Sequence, residues 1–409
     1  MKRIIYSEIE GQSLRFYVLA GILGAFVLAG LAASLYMEHY GHYVTGMSNQ
    51  IVWGTPHVFA IFLIVAASGA LNVASIGTVF GKTLYKPLGR LSGLLALALL
   101  VGGLAVLVLD LGRPDRLIVA MTSYNFKSIF AWNIFLYVGF IAVVAVYLWL
   151  QMERRMNRYV PAAGMVAFLW RLVLTTGTGS IFGFLVAREA YDSAVMAPLF
   201  IAMSFSFGLA VYILVLLAVC RGSGRELGDV VLNRLGRLMG ICIAAVLYFT
   251  VVQHLTNLYA AEHTGVERFI LLDGGIYTAL FWVVQIVVGG LLPLILVFWP
   301  ASGSRNAGRQ MALASVLVIM GGFAQLYVIL IGGQAYPLSI FPGMDVSSSF
   351  YDGVVASYAP SLPEIVLGVG GVALALLIVL FGIKILRFLP ATLADSATDP
   401  HFVAAAETP

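Results

Sequence analysis

Apolar residues run along this chain in blocks too long for an ordinary soluble helix. Stretches of roughly 20 to 27 residues, nearly free of Lys, Arg, Asp and Glu, recur at about 16–37, 54–80, 91–109, 128–150, 162–187, 193–219, 238–261, 274–299, 310–333 and 363–383. The fifth carries one charge, Arg171. A hydrocarbon core about 30 Å thick takes some 20 apolar residues per helix, so the pattern predicts an all-α integral membrane protein with ten transmembrane helices. The connections are short except 334–362, which leaves no room for a separate soluble domain and makes residues 1–409 one polytopic unit.

Composition agrees with the pattern. The chain is 61% hydrophobic and 10% charged, against about 25% charged in soluble domains, and a water-soluble enzyme is excluded. The first apolar block is longer than the 7–15 residues of a cleaved signal peptide and is expected to be retained. Of the Lys and Arg outside the spans, 17 lie in the amino-terminal segment, the even-numbered loops and the tail, and five lie in the odd loops. By the positive-inside rule both termini then face the cytoplasm, and an even number of spans agrees with their lying on one side. The net charge of +4 therefore reports topology, and no basic patch points to nucleic acid. Two cysteines, Cys220 and Cys242, are too few for an iron–sulfur cluster held by this chain alone. Gly81-Lys82-Thr83 lacks the first glycine of a phosphate loop, since position 76 is Ile76.

Leu88-Gly89-Arg90-Leu91-Ser92-Gly93 opens the third span and Leu235-Gly236-Arg237-Leu238-Met239-Gly240 opens the seventh. The same offset lays Asp110-Leu111 onto Asn257-Leu258. Four spans separate the copies, which predicts parallel repeats: two related four-helix bundles, spans two to five (54–187) and six to nine (193–333), flanked by spans one and ten. The long loop holds Tyr336-Pro337, Phe341-Pro342-Gly343, Phe350-Tyr351 and Tyr358-Ala359-Pro360 without a Lys or Arg. It can dock a partner or lie at the headgroup level. Residues 391–409 have the composition of a disordered cytoplasmic tail.

Ionisable residues inside a membrane are costly and are functional candidates by default. At ~1.5 Å per residue, His57 lies about one turn below the outer surface and His254 about two. Asp110, Glu262 and Glu364 fall at or near external helix ends, so the chemistry concentrates on the outer side. At about 100° per residue, Ser68 lies roughly 20° from His57, Asn72 about 60° away, and Ser75 back in line. Thr250, His254 and Asn257 share a face of the seventh span, and Arg171, Thr175 and Thr178 share one of the fifth. These stripes could carry protons, and Ser68, Asn72, Arg171, His254, Asn257 and Glu262 are the candidates. Small hydroxyls also serve helix packing, the reading favoured for Ser68, Ser75, Thr175 and Thr178, whereas His57 and Arg171 are harder to account for by packing. His57 and His254 differ in depth by one to two turns, and no haem is expected between them. After the third span, Asp110-Leu111-Gly112-Arg113-Pro114-Asp115-Arg116 stops the helix with Gly and Pro. Arg113 could pair with Asp110 or Asp115, hold a headgroup, or position a ligand carbonyl.

The Asp-Leu-Gly-Arg-Pro run at residues 110–114, Asn125-Phe126-Lys127-Ser128, Trp132-Asn133 and the Trp53-Gly54 opening of the second span resemble the NrfD, or polysulfide reductase membrane-subunit, family. Ten spans rather than eight, the start Tyr6-Ser7-Glu8-Ile9-Glu10-Gly11 and the Ser180–Met196 region are most similar to the membrane subunit of the Dsr complex of sulfur and sulfate metabolism. The resemblance implies a haem-free subunit that binds a quinone (menaquinone or ubiquinone) near the outer face and exchanges electrons with an extracytoplasmic iron–sulfur subunit bearing ferredoxin-like clusters. His57 would then be the donor and acid–base group, with Asp110, Tyr124 and Asn133 as neighbours and Arg113 positional. A secondary transporter and a structural anchor are the competing readings, although mid-span proline breaks, expected of many transporters, are confined mainly to Pro293.

Overall fold

The computed structural model describes residues 4–299, 304–338 and 353–398. Among them are ten helices long and apolar enough to cross a membrane: α1 (Leu14–Tyr40), α2 (Thr55–Thr78), α3 (Thr83–Leu109), α4 (Ile129–Met152), α5 (Arg154–Gly183), α6 (Met196–Ser223), α7 (Asp229–Tyr259), α8 (Ile276–Phe298), α9 (Ala307–Ala335) and α10 (Leu362–Ile385). Each coincides with one of the ten apolar blocks, because in hydrocarbon only a helix satisfies its own backbone groups. The protein is a multi-pass integral membrane protein.

Burial sorts the helices. About four-fifths of the α2 and α6 spans is enclosed by protein (83% and 78%), against 22% for α1. The two central helices lie directly against each other. At their crossing a Cβ on Gly69 would overlap the carbonyl of Ser204, and one on Gly208 would overlap the backbone at Gly69 and Ala70. Bare backbone on both sides allows this approach, as small residues do at membrane helix interfaces generally. Helices α3 and α5 pack against α2 and helices α7 and α9 against α6, with α4 lying on α3 and α5 and α8 lying on α7 and α9. The flanking helices pair with each other, α1 along α10, and α10 in turn lies against α2 and α3. Helices α8 and α9 are not regular throughout: wide turns closed by i→i+5 hydrogen bonds occupy Leu280–Leu291 and Val328–Gly332.

Both ends of the described chain are held on one face. Tyr6 and Ser7 pair antiparallel with Pro390 and Leu389. Arg225 ties the two together, donating to the carbonyls of Leu389 (3.2 Å) and Pro390 (2.7 Å) and to Ser7 Oγ (3.0 Å). Within the segment whose composition suggested disorder, residues 391–398 are docked. Asp395 accepts from the backbone N–H of Asp229 and Val230 at the start of α7 (3.2 and 3.1 Å), satisfying donors that a helix amino terminus otherwise leaves open. Residues 399–409 lie outside the described residues, as do Phe341-Pro342-Gly343 and Phe350-Tyr351 of the long loop.

The α2–α6 crossing generates a test. Gly69→Val forces backbone apart where no flexible side chain can yield, so its cost should lie at or above the upper end of overpacking penalties, about 3 kcal/mol. Thermal unfolding in detergent should show a large loss for Gly69→Val, and little change for Gly21→Val on α1, where a Cβ meets nothing within 4 Å.

Candidate functional site

The amino end of α2 is fixed by side chains from far along the sequence. Gln334 Oε1 accepts from the N–H groups of Val52 (2.9 Å) and Trp53 (3.0 Å), and Gln334 Nε2 donates to the carbonyls of Trp53 (3.0 Å) and Leu330 (2.8 Å). Thr55 N–H donates to Tyr358 Oη (2.7 Å), and Tyr358 donates to Glu364 Oε1 (2.6 Å). Glu364, fully buried at the start of α10, also accepts from Gly46 N–H (2.9 Å) and Ser361 N–H (2.7 Å). Burial and the hydrogen bond to Glu364 push the Tyr358 phenol well up, so it remains a donor. Pro56 in the first turn suits a helix start. The whole network sets the position of His57, one turn into α2.

His57 faces Asp110, the residue that ends α3. Nδ1 of His57 stands 3.0 Å from Asp110 Oδ2, and the carboxylate is 1% exposed. On its other side His42 Nε2 lies 3.8 Å from Asp110 Oδ1 and donates to the Asp110 carbonyl at 2.9 Å. The approach of His57 is at ion-pair distance, but its angles fall outside hydrogen-bond geometry, and neither carboxylate oxygen has an aligned donor among the described residues. Burial pushes the Asp110 carboxyl up, and the two imidazoles at its oxygens outweigh that and leave it below the usual carboxylate range. The same contact raises His42 above an ordinary histidine, against the opposing effect of its partial burial.

With Nδ1 turned to Asp110, Nε2 is the nitrogen of His57 left for a ligand, and His57 lines a cavity of about 380 Å³. Trp53, Phe130, Phe182, Asn133, Tyr137 and a group of Leu, Ile and Val side chains complete the wall. Trp53 is held between rings, 6.4 Å from both His57 and Tyr191 and edge-on to Phe182 at 5.8 Å. Val138, Phe130 and Leu111 are also exposed on the outer surface of the helices, so the cavity reaches the side that lipid would cover. Its size and apolar lining with a few polar groups are typical of a small-molecule site.

Of the residues the sequence singled out for a ligand, the structure brings His57 and Asn133 to this cavity and sets Asp110 behind His57. Asn133 Nδ2 is engaged, donating to the carbonyls of Ile129 (2.9 Å) and Gly177 (3.0 Å). Arg113 stands exposed in a two-pronged pair with Asp115, both bonds 3.0 Å. Tyr124 stacks on Phe126 and meets Phe135 edge-on, outside the cavity lining. His42, in the turn after α1, was not singled out from the sequence.

The deeper polar residues fall into separate groups. Ser68 Oγ lies 2.6 Å from Thr175 Oγ1 and donates to the Arg171 carbonyl (3.2 Å). Arg171 is buried between the rings of Phe168 and Phe205, each 4.8 Å away, and its Nε and Nη1 have no hydrogen-bond partner among the described residues. Asn72 sits half-buried one turn further along α2. In the other half His254 Nδ1 lies 2.6 Å from Glu267 Oε2, and Asn257 donates to Glu267 Oε1 at 2.8 Å. Gln253, Thr250, Gln285 and Gln325 surround them beside two small cavities of about 30 and 20 Å³, each large enough for a water. Glu267 was missed in the sequence because it lies between apolar blocks; a short helix, Thr264–Arg268, turns it inward. Glu262 is exposed, 3.7 Å from His263.

Residues 43–337 match the family described as polysulphide reductase, NrfD. The chain belongs to that family. Among relatives, it is 29% identical over 388 residues to the Hdr-like menaquinol oxidoreductase integral membrane subunit of Archaeoglobus fulgidus, an alignment spanning 94% of this protein and 96% of the relative. It is 29% identical over 404 residues to a putative dimethyl sulfoxide reductase membrane subunit of Halobacterium salinarum, with 90% of each covered. A polysulfide reductase subunit of Wolinella succinogenes is 24% identical over 311 residues, 70% of this protein and 96% of the relative. The NrfD match takes in His57, Asp110 and the cavity. It begins one residue after His42 and ends before Tyr358 and Glu364.

The Asp110 group predicts a pH-dependent stability. Asp110 is lowered, so its contribution is present above its unfolded value near pH 4 and is lost as pH falls through the folded one. His42 is raised, so its contribution is full below about pH 6.5 and is lost as pH rises through its folded value. His42→Gln should therefore lower the unfolding temperature in detergent more at pH 6 than at pH 8.5. An equal loss at both values would separate His42 from the Asp110 charge.

Proposed function

We propose that this protein is the quinone-reactive membrane subunit of a respiratory oxidoreductase complex. The observation that carries the proposal is the apolar cavity closed at one end by His57, itself backed by the buried carboxylate of Asp110. A quinone has an apolar ring and tail and two carbonyl oxygens, and this cavity offers an apolar wall reaching the lipid side with one imidazole nitrogen free at its end. The names of the menaquinol oxidoreductase and polysulfide reductase relatives support the same reading. When bound, the quinone supplies a couple of two electrons and two protons. The protein's part is to hold the ring against Trp53, exclude water with the Leu, Ile and Val wall, and hold or release a proton at His57 Nε2, with Asp110 stabilising the charged imidazole.

Both termini are placed on the cytoplasmic side from the distribution of Lys and Arg, which puts His57 and the cavity near the outer face of a prokaryotic cytoplasmic membrane. Electrons would pass to or from an extracytoplasmic iron–sulfur subunit with ferredoxin-like clusters. The exposed Phe126 and Trp132 beside the cavity offer such a partner an aromatic surface. Coupling to proton transfer across the bilayer would use Ser68, Asn72 and Arg171 on one side and His254 and Asn257 with Glu267 on the other, with the exposed Glu262 as a further candidate. Sulfur-compound metabolism, and a place in a Dsr-type complex, rest on the resemblance of the sequence.

In the complex purified with its partner subunits, anaerobic addition of a quinol should reduce the partner's redox centres, read by visible and EPR spectra. His57→Ala should slow this about a hundredfold or more while leaving chemical reduction of the same centres intact. Arg113→Ala, which removes an exposed pair worth less than about 1 kcal/mol, should change the rate by less than about threefold. An assembled His57→Ala complex that reacts at the normal rate would remove the cavity from the reaction.

A further inference from the structure

Asp110 is shut off from water on the side of the cavity, yet any proton it takes from His57 has to leave. Its side chain is 1% exposed, that of His57 is 19% exposed, and that of His42 is 33% exposed. The nearest cation in sequence, Arg113, is committed to Asp115. Among the described residues no other titratable side chain forms an ion pair or hydrogen bond with the carboxylate, so the imidazole of His42 is what stands between it and the aqueous phase. We propose that His42 is the relay through which Asp110 exchanges protons with the outside, an inference that rests on reading the cavity as a quinone site.

The atoms support a relay in both directions. His42 Nε2 is shared between two oxygens of one residue, the Asp110 carbonyl at 2.9 Å and Oδ1 at 3.8 Å. The carbonyl can only accept, so in the resting geometry Nε2 carries hydrogen. For uptake, water protonates Nδ1, and the Nε2 proton moves to Oδ1 after a shift of about 1 Å to normal hydrogen-bond distance. The carboxyl then protonates His57 Nδ1, and His57 Nε2 delivers a proton to the bound carbonyl oxygen. Release runs over the same atoms in reverse. Oxidation of a bound quinol would free two protons, of which the one on the oxygen beside His57 would leave by this route and the one on the far oxygen from the other end of the headgroup, and two electrons, which would go to the redox centres of the partner subunit.

The ring is held for this task. It follows Gly41, whose φ of +85° turns the backbone out of α1, and its carbonyl accepts from Thr45 N–H at 3.0 Å. The charged groups that act on it come from two other elements, Asp110 from the end of α3 and Glu364 from the start of α10, and α1 itself carries Glu38 and His39 at its end. His42 lies outside the residues that match the family, so this contact belongs to the flanking helix and not to the matched core.

The test compares His42→Gln, which keeps a donor for the Asp110 carbonyl but cannot carry a proton, with His42→Ala. Both are assayed in the intact complex, together with binding of a fluorescent quinol analogue. The expected result is normal analogue binding in both variants, quinol turnover reduced about a hundredfold in both, and recovery of His42→Ala with added imidazole. A second measurement does not depend on turnover. In ¹⁵N-histidine-labelled protein in liposomes, the ring signals of His42 and His57 should titrate together, and Asp110→Asn should uncouple them. Wild-type turnover in His42→Gln, or independent titration in the unaltered protein, would overturn the relay while leaving the quinone site standing. Failure of the unaltered complex to react with any quinol would remove both.

Discussion

A carboxylate held at the end of an apolar helix, out of contact with water, is tolerated only beside groups that can share its charge. Asp110 is in that position, and its neighbours are two imidazoles, one on α2 and one in the turn after α1. The contact constrains more than the two side chains. It fixes the end of α3 against the first turn of α2, and it draws the turn after α1 over the top of both. Removing the carboxylate would leave two imidazoles facing one another in a poorly solvated space, and removing either imidazole would leave the carboxylate without half of its compensation. The arrangement gives up stability for chemistry, which is the usual meaning of a buried ionisable group in a membrane protein.

The helices that flank the family core contribute to the same place. Helix α1 delivers His42, and α10 delivers Glu364, which through Tyr358 holds the backbone of Thr55 two residues before His57. Because α1 and α10 pack on each other, the two contributions are mechanically linked. The NrfD match covers the cavity itself and Gln334 of the clamp on α2, while His42 and the Tyr358–Glu364 part of that clamp lie outside the match. Relatives sharing only the core can therefore hold a similar cavity and manage its protons differently.

Much of this was legible in the sequence. Ten apolar blocks became ten helices because block length and the need to satisfy backbone groups leave no alternative. The place of His57 in the first turn of the second span was legible too. What was not legible was pairing. The sequence left Arg113 open to Asp110 or Asp115, and only the path of the backbone after Gly112 decides it, sending the guanidinium outward to Asp115. His42 was hidden because the path of the backbone after Gly41 cannot be read from hydropathy. Glu267 was hidden because it lies between blocks, in a segment whose inward turn depends on a short helix with no strong signal of its own. The hydroxyls of Ser68 and Thr175 bond to each other, as packing residues do, so their alignment with His57 along α2 does not by itself make a path.

The central claim is that the cavity beside His57 holds a quinone headgroup. The most direct measurement is a cryo-EM structure of the complex isolated with its native quinone. The account predicts headgroup density in the cavity against Trp53, with a carbonyl oxygen about 3 Å from His57 Nε2. A headgroup resolved elsewhere, for example against His254 and Glu267, with lipid or nothing beside His57, would contradict it.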